Sequence, residues 1–306
     1  MKPKNTFTKK AFMKDYRFFL MFAGISLVGF LLFYLYPIIR TLMLSFTDKT
    51  IYSLVTTRLG WDNYIYALTK DPLFFESIKL SLIFAFTSGI MVLITSLVLA
   101  MLLNQKVRFI GVFRTIYFLP FIIPSFAVGA VYKNLFHPTS GLINSILSFV
   151  GFTDLPAWHR TPDTALLTMI LISSMGFGVK MLVFLAALQR IPEDYYEVAR
   201  LEGATPLQQF KKITLPLITP MVFFNIILIT IDGLKAFNLA FVMGNGQGFP
   251  ANSTLLFPIY MFMTAFNMPF RLGYAAAMAY LFFIMILILT LIHFLLSRFY
   301  VEKDVS

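Results

Sequence analysis

Five polar side chains lie inside or at the ends of otherwise apolar runs: Lys180, Asn225, Asp232, Lys235 and Asn238. A charge at membrane depth is costly unless it is paired or faces water, so such residues are read first as functional. Asp232 and Lys235 stand at i and i+3, a spacing that brings two side chains onto one helix face and allows an ion pair. In the other reading, Lys180 and Lys235 are hydrogen-bond donors on a path for a polar solute. Covalent chemistry is not expected. The chain has no cysteine, which removes thiolate catalysis, Fe–S clusters and cysteine zinc sites. His137, His159 and His293 are scattered, with no second ligand at metal spacing. No G-x-x-x-x-G-K-[ST] loop exists to cradle a nucleotide. No catalytic residue, metal ligand or cofactor of this chain is therefore expected.

A second constellation lies in the polar segment 189–217, which reads QRIPEDYYEVARLEGATPLQQFKKITLP from Gln189 to Pro216. Pro192 suits a first helical position, and Glu193 and Asp194 favour the positive end of the helix dipole. Gly203 is a natural left-handed stop. Thr205 caps a second start, Pro206 fills its first turn, and Pro216 marks the exit. Two short helices in series around Gly203 make a compact knob able to fit a socket and transmit force. The bland alternative is an ordinary amphipathic surface hairpin.

These residues must be positioned by a membrane scaffold. Of 306 residues, 58% are hydrophobic, 17% aromatic and only 13% charged, against about 25% charged in soluble domains. Apolar runs near 18–36, 78–103, 113–135, 165–188, 218–242 and 274–297 are each long enough for a hydrocarbon core of about 30 Å. The fold class expected is all-α with about six transmembrane helices. Pro120 and Pro124 predict a kinked or broken third span, and the first run is expected to end at Pro37. Leu142 to Val150 is too short to span and is expected along the outer surface, while Gly244 to Pro250 reads as a flexible loop.

The formal charge of +11 fits topology better than nucleic acid, because basic residues gather at cytoplasmic membrane margins. Lys2, Lys4, Lys9, Lys10, Lys14 and Arg17 precede the first run. Lys106, Arg108, Arg114, Arg190, Arg200, Lys211, Lys212, Arg298 and Lys303 fall on the same side. The opposite loops hold fewer, so both termini are expected in the cytoplasm. The organisation expected is an N-terminal cytoplasmic segment 1–17, a transmembrane domain 18–297 containing the loop 189–217, and a tail 298–306.

The loop resembles the E-A-A-x3-G-x9-I-x-L-P motif of permease subunits in binding-protein-dependent ABC importers. Glu197, Ala199, Gly203, Ile213, Leu215 and Pro216 match it, and Val198 replaces one alanine. FRTIYFLP at 113–120, GLIN at 141–144 and GYAAAM at 273–278 extend the likeness to the first-permease, maltose and glycerol-phosphate type of the carbohydrate-uptake branch. Two positions depart from that pattern: Lys180 and Lys235 stand where polar uncharged residues are expected. The resemblance implies a type I importer permease fold in a bacterial cytoplasmic membrane. It implies that Glu197, Ala199, Gly203, Ala204, Ile213, Leu215 and Pro216 couple to an ATPase. The implied partners are a second homologous permease in a heterodimer, two ATP-binding subunits carrying ATP and Mg, and an extracytoplasmic solute-binding protein. The implied function is import of a sugar or oligosaccharide by ATP-driven alternating access, with Phe237, Phe241 and Tyr260 as possible ring faces for a pyranose. A neutral oligosaccharide is the first expectation, and an acidic sugar or sugar phosphate the alternative. The rival from another class is a secondary transporter using Asp232 and Lys235 as an ion relay.

Overall fold

The computed structural model describes residues 21, 23–52, 56–58, 60–105 and 108–297; the expected segments 1–17 and 298–306 lie outside them. Among the described residues the structure is helical apart from one isolated bridge between Thr47 and Arg58. The helices are α1 (Ala23–Ser45), α2 (Asp62–Thr69), α3 (Pro72–Leu103), α4 (Ile110–Ile122), α5 (Ser125–Leu135), α6 (Leu142–Phe149) and α7 (Pro162–Ser173). They continue with α8 (Gly178–Leu188), α9 (Glu193–Leu201), α10 (Pro206–Gln209), α11 (Leu215–Leu234), α12 (Asn238–Met243), α13 (Phe257–Phe266) and α14 (Leu272–Ser297). Among the described residues, four stretches are long and apolar enough to cross a membrane, and up to six if each bent helix pair is one span. Each expected span falls on one of these six.

The axis of the bundle is α3, against which α11, α8, α13 and α7 pack. Its buried stripe is rich in small residues, Ser77, Ser81, Ala85, Ser88, Gly89, Ser96 and Ala100, interspersed with Phe74, Phe84, Val92 and Leu103. Membrane helices gain little from hydrophobicity against lipid, so close backbone approach through small residues holds them together. The contact with α11 shows this directly. A Cβ on Gly89 would lie 2.9 Å from Ile229 Cγ2, and one on Gly233 would lie 2.9 Å from Ala85 Cα. The opposite face of α3, with Ile83, Phe86, Ile90, Ile94 and Val98, is exposed and suits lipid.

At the end of the bundle remote from segment 189–217, buried Asp71 joins four helices. Its Oδ1 caps α3 by accepting from the Leu73 N–H at 3.0 Å, and its Oδ2 accepts from the hydroxyls of Tyr260 (2.7 Å) and Tyr274. The Arg271 guanidinium lies 4.5 Å from the rings of both Tyr66 and Tyr274. Nearby, the Ser81 hydroxyl accepts the otherwise orphaned N–H of Phe257 at 2.7 Å and so fixes the start of α13.

Several expectations are revised. The first helix does not stop at Pro37 but runs to Ser45. A π turn over Leu31–Leu35, closed by the Tyr36 N–H on the Leu31 carbonyl, leads into a new α-helical segment with Pro37 in its first turn, where no N–H is needed. The third span is broken as proline predicted, with α4 and α5 bent by 99°. The fourth is also broken, by 41° between α7 and α8 at Ser174–Phe177, where no proline gave warning. Helix α13 was not anticipated. Segment Gly244–Pro250 is packed rather than open. Gly246 N–H donates to the Phe241 carbonyl, Phe249 N–H to Gly244, and Thr254 Oγ1 to Phe249. Gly246 and Gly248 have φ of +70° and +72°, with no room for a Cβ against Phe241 and Leu255.

Asp71→Ala should lower stability by about 2–4 kcal/mol, the sum of a lost cap and the buried Tyr274 hydroxyl left unpaired. Asp71→Asn, which keeps an acceptor, should recover much of it. Thermal unfolding of the detergent-solubilised protein measures both.

Candidate coupling and transport site

The segment after α8 folds as the two-helix knob expected from its punctuation. Helix α9 starts after Pro192 with Glu193 and Asp194 in its first turn. It ends at Gly203, whose φ is +77°. There the Gly203 N–H donates to the Arg200 carbonyl (3.0 Å) and the Ala204 N–H to the Ala199 carbonyl (2.8 Å). This pair of bonds is a Schellman closure, which a left-handed glycine permits and most other residues resist. It gives Ala199 and Ala204 a structural role, because their backbones form the lock. Thr205 then opens α10 with a reciprocal capping box: Thr205 Oγ1 accepts from Gln208 N–H (3.3 Å), and Thr205 N–H donates to Gln208 Oε1 (2.8 Å).

Pro216 does not mark an exit. The chain continues from α10 through a π turn at Phe210–Thr214 directly into α11, with Pro216 in the first α-helical turn. A proline there costs no hydrogen bond of the new segment. Knob and membrane helix are consequently one rod. The Tyr196 hydroxyl, 2.8 Å from Thr214 Oγ1, ties α9 to the same rod. Sequence reasoning missed this tie, for which spacing gives no signal. Glu197 and Gly203 are exposed, Ala199, Ala204, Ile213 and Pro216 half-buried, and Leu215 is at the margin of exposure. Val198 also points outward, which explains how it replaces a smaller residue without a clash. Leu201 is 89% exposed, and Tyr195, Val198 and Leu207 are exposed as well. An apolar tip of this kind suits a protein socket better than water.

The intramembrane polar residues are paired differently from the i, i+3 reading. Lys180 on α8 pairs with Asp232 on α11, Nζ to Oδ2 at 2.6 Å, so Asp232 does not pair with Lys235. The Lys180 side chain is 15% exposed and that of Asp232 61%. Lys235 is exposed at the end of α11. The bridge borders a cavity of about 190 Å³ that Ser88, Gly89, Ser173 and Gly176 also line. Asn225 is fully buried on the same rod; its Nδ2 donates weakly to the Lys180 carbonyl at 3.4 Å, and its Oδ1 has no partner. Asn238, just past the break that ends α11, donates to Ser125 Oγ at 2.6 Å, beside the break between α4 and α5.

The two bent spans meet at their breaks. A Cβ on Gly178 would lie 3.0 Å from Phe121 Cβ. Between them lies a cavity of about 500 Å³ lined by Tyr117, Pro124, Ser125, Tyr132, Ser173 and Gly176 among others. Irregular backbone at membrane depth is tolerated where it is buried in protein or lines a polar cavity. Among the aromatic candidates, Phe237 and Phe241 pack on Phe262 with ring centroids 5.5 and 5.6 Å apart, and the Tyr260 hydroxyl binds Asp71. Lys133 Nζ donates to the Val242 carbonyl (2.7 Å) and to Asn245 Oδ1 (2.5 Å). Among the described residues, no three His, Cys, Asp or Glu side chains are grouped to hold a metal.

Comparison with known proteins agrees with this architecture. The family model described as "Binding-protein-dependent transport system inner membrane component" matches residues 92–301. The chain is 37% identical over 279 residues to the probable ABC transporter permease protein YesP of Bacillus subtilis (strain 168), covering 91% of this chain and 89% of YesP. It is 32% identical over 270 residues to the lactose transport system permease protein LacF of Rhizobium radiobacter, covering 87% and 89% respectively. The fold matches, with a TM-score of 0.80 at 22% identity, a chain in the crystal structure of a bacterial alginate ABC transporter in complex with an alginate pentasaccharide-bound periplasmic protein. That match covers 96% of this chain and 98% of the other, and at this identity it is a likeness of fold. The chain belongs to the binding-protein-dependent transport system inner membrane components and is a multi-pass ABC transporter permease, a transport component rather than an enzyme.

Proposed function

We propose that this permease imports a sugar or oligosaccharide by alternating access driven by ATP hydrolysed on partner subunits. The observation that carries the reading is the continuity of the 189–217 knob with α11, the helix that also bears Asn225 and Asp232. A push on Leu201 passes through the closed Gly203 turn and the Tyr196–Thr214 contact, and from Pro206 onward no hinge loop intervenes before α11. From Pro206 to Asp232 the rod is about 39 Å long at 1.5 Å per residue. The carbohydrate class rests on relatives such as the lactose permease LacF.

The membrane is the bacterial cytoplasmic one, with the knob and both termini in the cytoplasm. Arg108, Arg114, Arg190, Arg200, Lys211 and Lys212 on the knob side support that orientation. Glu197, Gly203 and the Schellman lock occupy a cleft of one ATP-binding subunit, and the partner subunits bind ATP and Mg. A second homologous permease completes the pathway, a second ATP-binding subunit serves it, and a solute-binding protein delivers cargo to the opposite face. The Lys180–Asp232 bridge and the cavity beside it lie on the pathway, offering donors and an acceptor to solute hydroxyls.

Gly203→Pro cannot adopt a positive φ and lacks the N–H that closes on Arg200. It should leave the complex inserted, with basal ATPase retained and solute uptake lost; Glu197→Lys should do the same by inverting the charge at the tip. Uptake assays in proteoliposomes check both, and normal transport would refute the coupling role. For the bridge, Lys180→Met or Asp232→Leu alone should reduce the assembled complex, because each strands a charge. The double variant Lys180→Met/Asp232→Leu should restore assembly while uptake stays at least about tenfold down, the size expected for one or two lost hydrogen bonds. Full recovery of uptake would make the pair purely structural.

A further inference from the structure

On the face of the bundle opposite the knob, α6 presents a surface that its own chain leaves uncovered. Leu142, Ile146 and Phe149 form one stripe along the helix, with Val150 and Phe152 continuing it, and all five are exposed. Phe149 is 93% exposed. From Gly141 to Thr153 the sequence GLINSILSFVGFT contains no ionisable side chain. Its one carboxamide is turned inward and saturated: Asn144 Nδ2 donates to the carbonyls of Pro138 (2.7 Å) and Pro156 (3.0 Å), and Asn144 Oδ1 accepts from Trp158 Nε1 at 2.6 Å. Ile143, on the inner flank, packs on the hydrophobic core together with Trp158. The helix is thus fastened from behind, and its outward stripe offers neither an ionisable group nor a free carboxamide.

Charge separates the candidate coverings. A protein-docking patch of this size ordinarily carries a polar rim that fixes orientation. A stripe whose own residues carry no charge, flanked in the same loop by the exposed Asp154 and Arg160, instead matches the acyl-headgroup boundary of a bilayer, where apolar side chains enter hydrocarbon and flanking charged groups stay in the headgroup layer. The cation is Arg160, exposed at the end of the same loop and held by its hydrogen bond of 2.9 Å to His137 Nε2.

We propose that α6 is an interfacial anchor, its Leu142–Ile146–Phe149 stripe inserted into the bilayer leaflet on the side opposite the knob and Arg160 set at the level of the lipid phosphates. Anchored in this way, α6 holds the end of the broken α4–α5 span at a fixed depth. The proposal does not depend on which solute is carried or on which side is cytoplasmic.

Because the chain has no cysteine, single nitroxide labels can be placed at Leu142→Cys, Ile146→Cys and Phe149→Cys, with the exposed Ser148→Cys as the polar-flank control. The complete transporter is reconstituted in phosphatidylcholine/phosphatidylglycerol nanodiscs, and the spectrum of the unsubstituted complex is subtracted. Oxygen collisions should exceed those of a water-soluble nickel chelate at 142, 146 and 149, with the order reversed at 148. In the unsubstituted complex, a photoactivatable diazirine phospholipid should crosslink within 141–152. Nickel access at all four positions, or labels shielded only after the solute-binding protein is added, would overturn the proposal, as would the absence of crosslinks.

Discussion

The structure depends on the contact between α3 and α11. In lipid, a helix gains almost nothing by burying a leucine against another leucine, so association requires backbones to come close. Gly89 and Gly233 provide that approach from opposite partners, one admitting Ile229 and the other admitting Ala85. The serines along the α3 stripe serve it in two ways. Ser77, Ser88 and Ser96 return their hydroxyls to carbonyls of their own helix and present small surfaces, while Ser81 reaches across to cap α13. Once α11 is seated on α3, the positions of Asp232 and of the knob follow, since both belong to the same rod.

That rod joins two kinds of requirement. At the knob end, rigidity comes from local bonds: the closure at Gly203, the capping box at Thr205, and the contact of Tyr196 with Thr214. At the other end, the rod carries a carboxylate into a region where an unpaired charge is costly, and Lys180 on α8 neutralises it. The bridge lies where the α7–α8 break opens a small cavity, beside a larger one between the two bent spans. The broken helices supply polar backbone and small side chains at that depth. The unbroken rod supplies a way to move them.

The far end of the bundle is held differently. Asp71 concentrates one cap and two tyrosine hydroxyls on a single buried carboxylate, and Arg271 stacks on the rings instead of pairing with the acid. Gly273 at the start of α14 approaches the Thr47 carbonyl so closely that an added Cβ would sit 2.0 Å from it, and its N–H donates to Lys49 at 2.9 Å. These links fasten α1, α2, α3, α13 and α14 together around a polar centre. The knob projects at the opposite end.

Features governed by neighbours in the chain were legible in the sequence: the apolar spans, the proline break at Ile123–Pro124, and the knob with its left-handed Gly203 and Thr205 cap. Each rests on dihedral preferences or local hydrogen bonds that a few residues settle among themselves. Pro216 was misread because proline is equally acceptable in a first helical turn, and only the preceding π turn distinguishes the two cases. What tertiary structure decided was partnership. Asp232 had a cation at i+3 and another on a different helix, and spacing favoured Lys235; the packing of α8 against α11 brought Lys180 within 2.6 Å instead. Asp71 was silent for the same reason, since its tyrosines lie some two hundred positions away. A long-range pair is set by which helices can approach closely, and that is a property of the small residues between them rather than of the charged ones themselves.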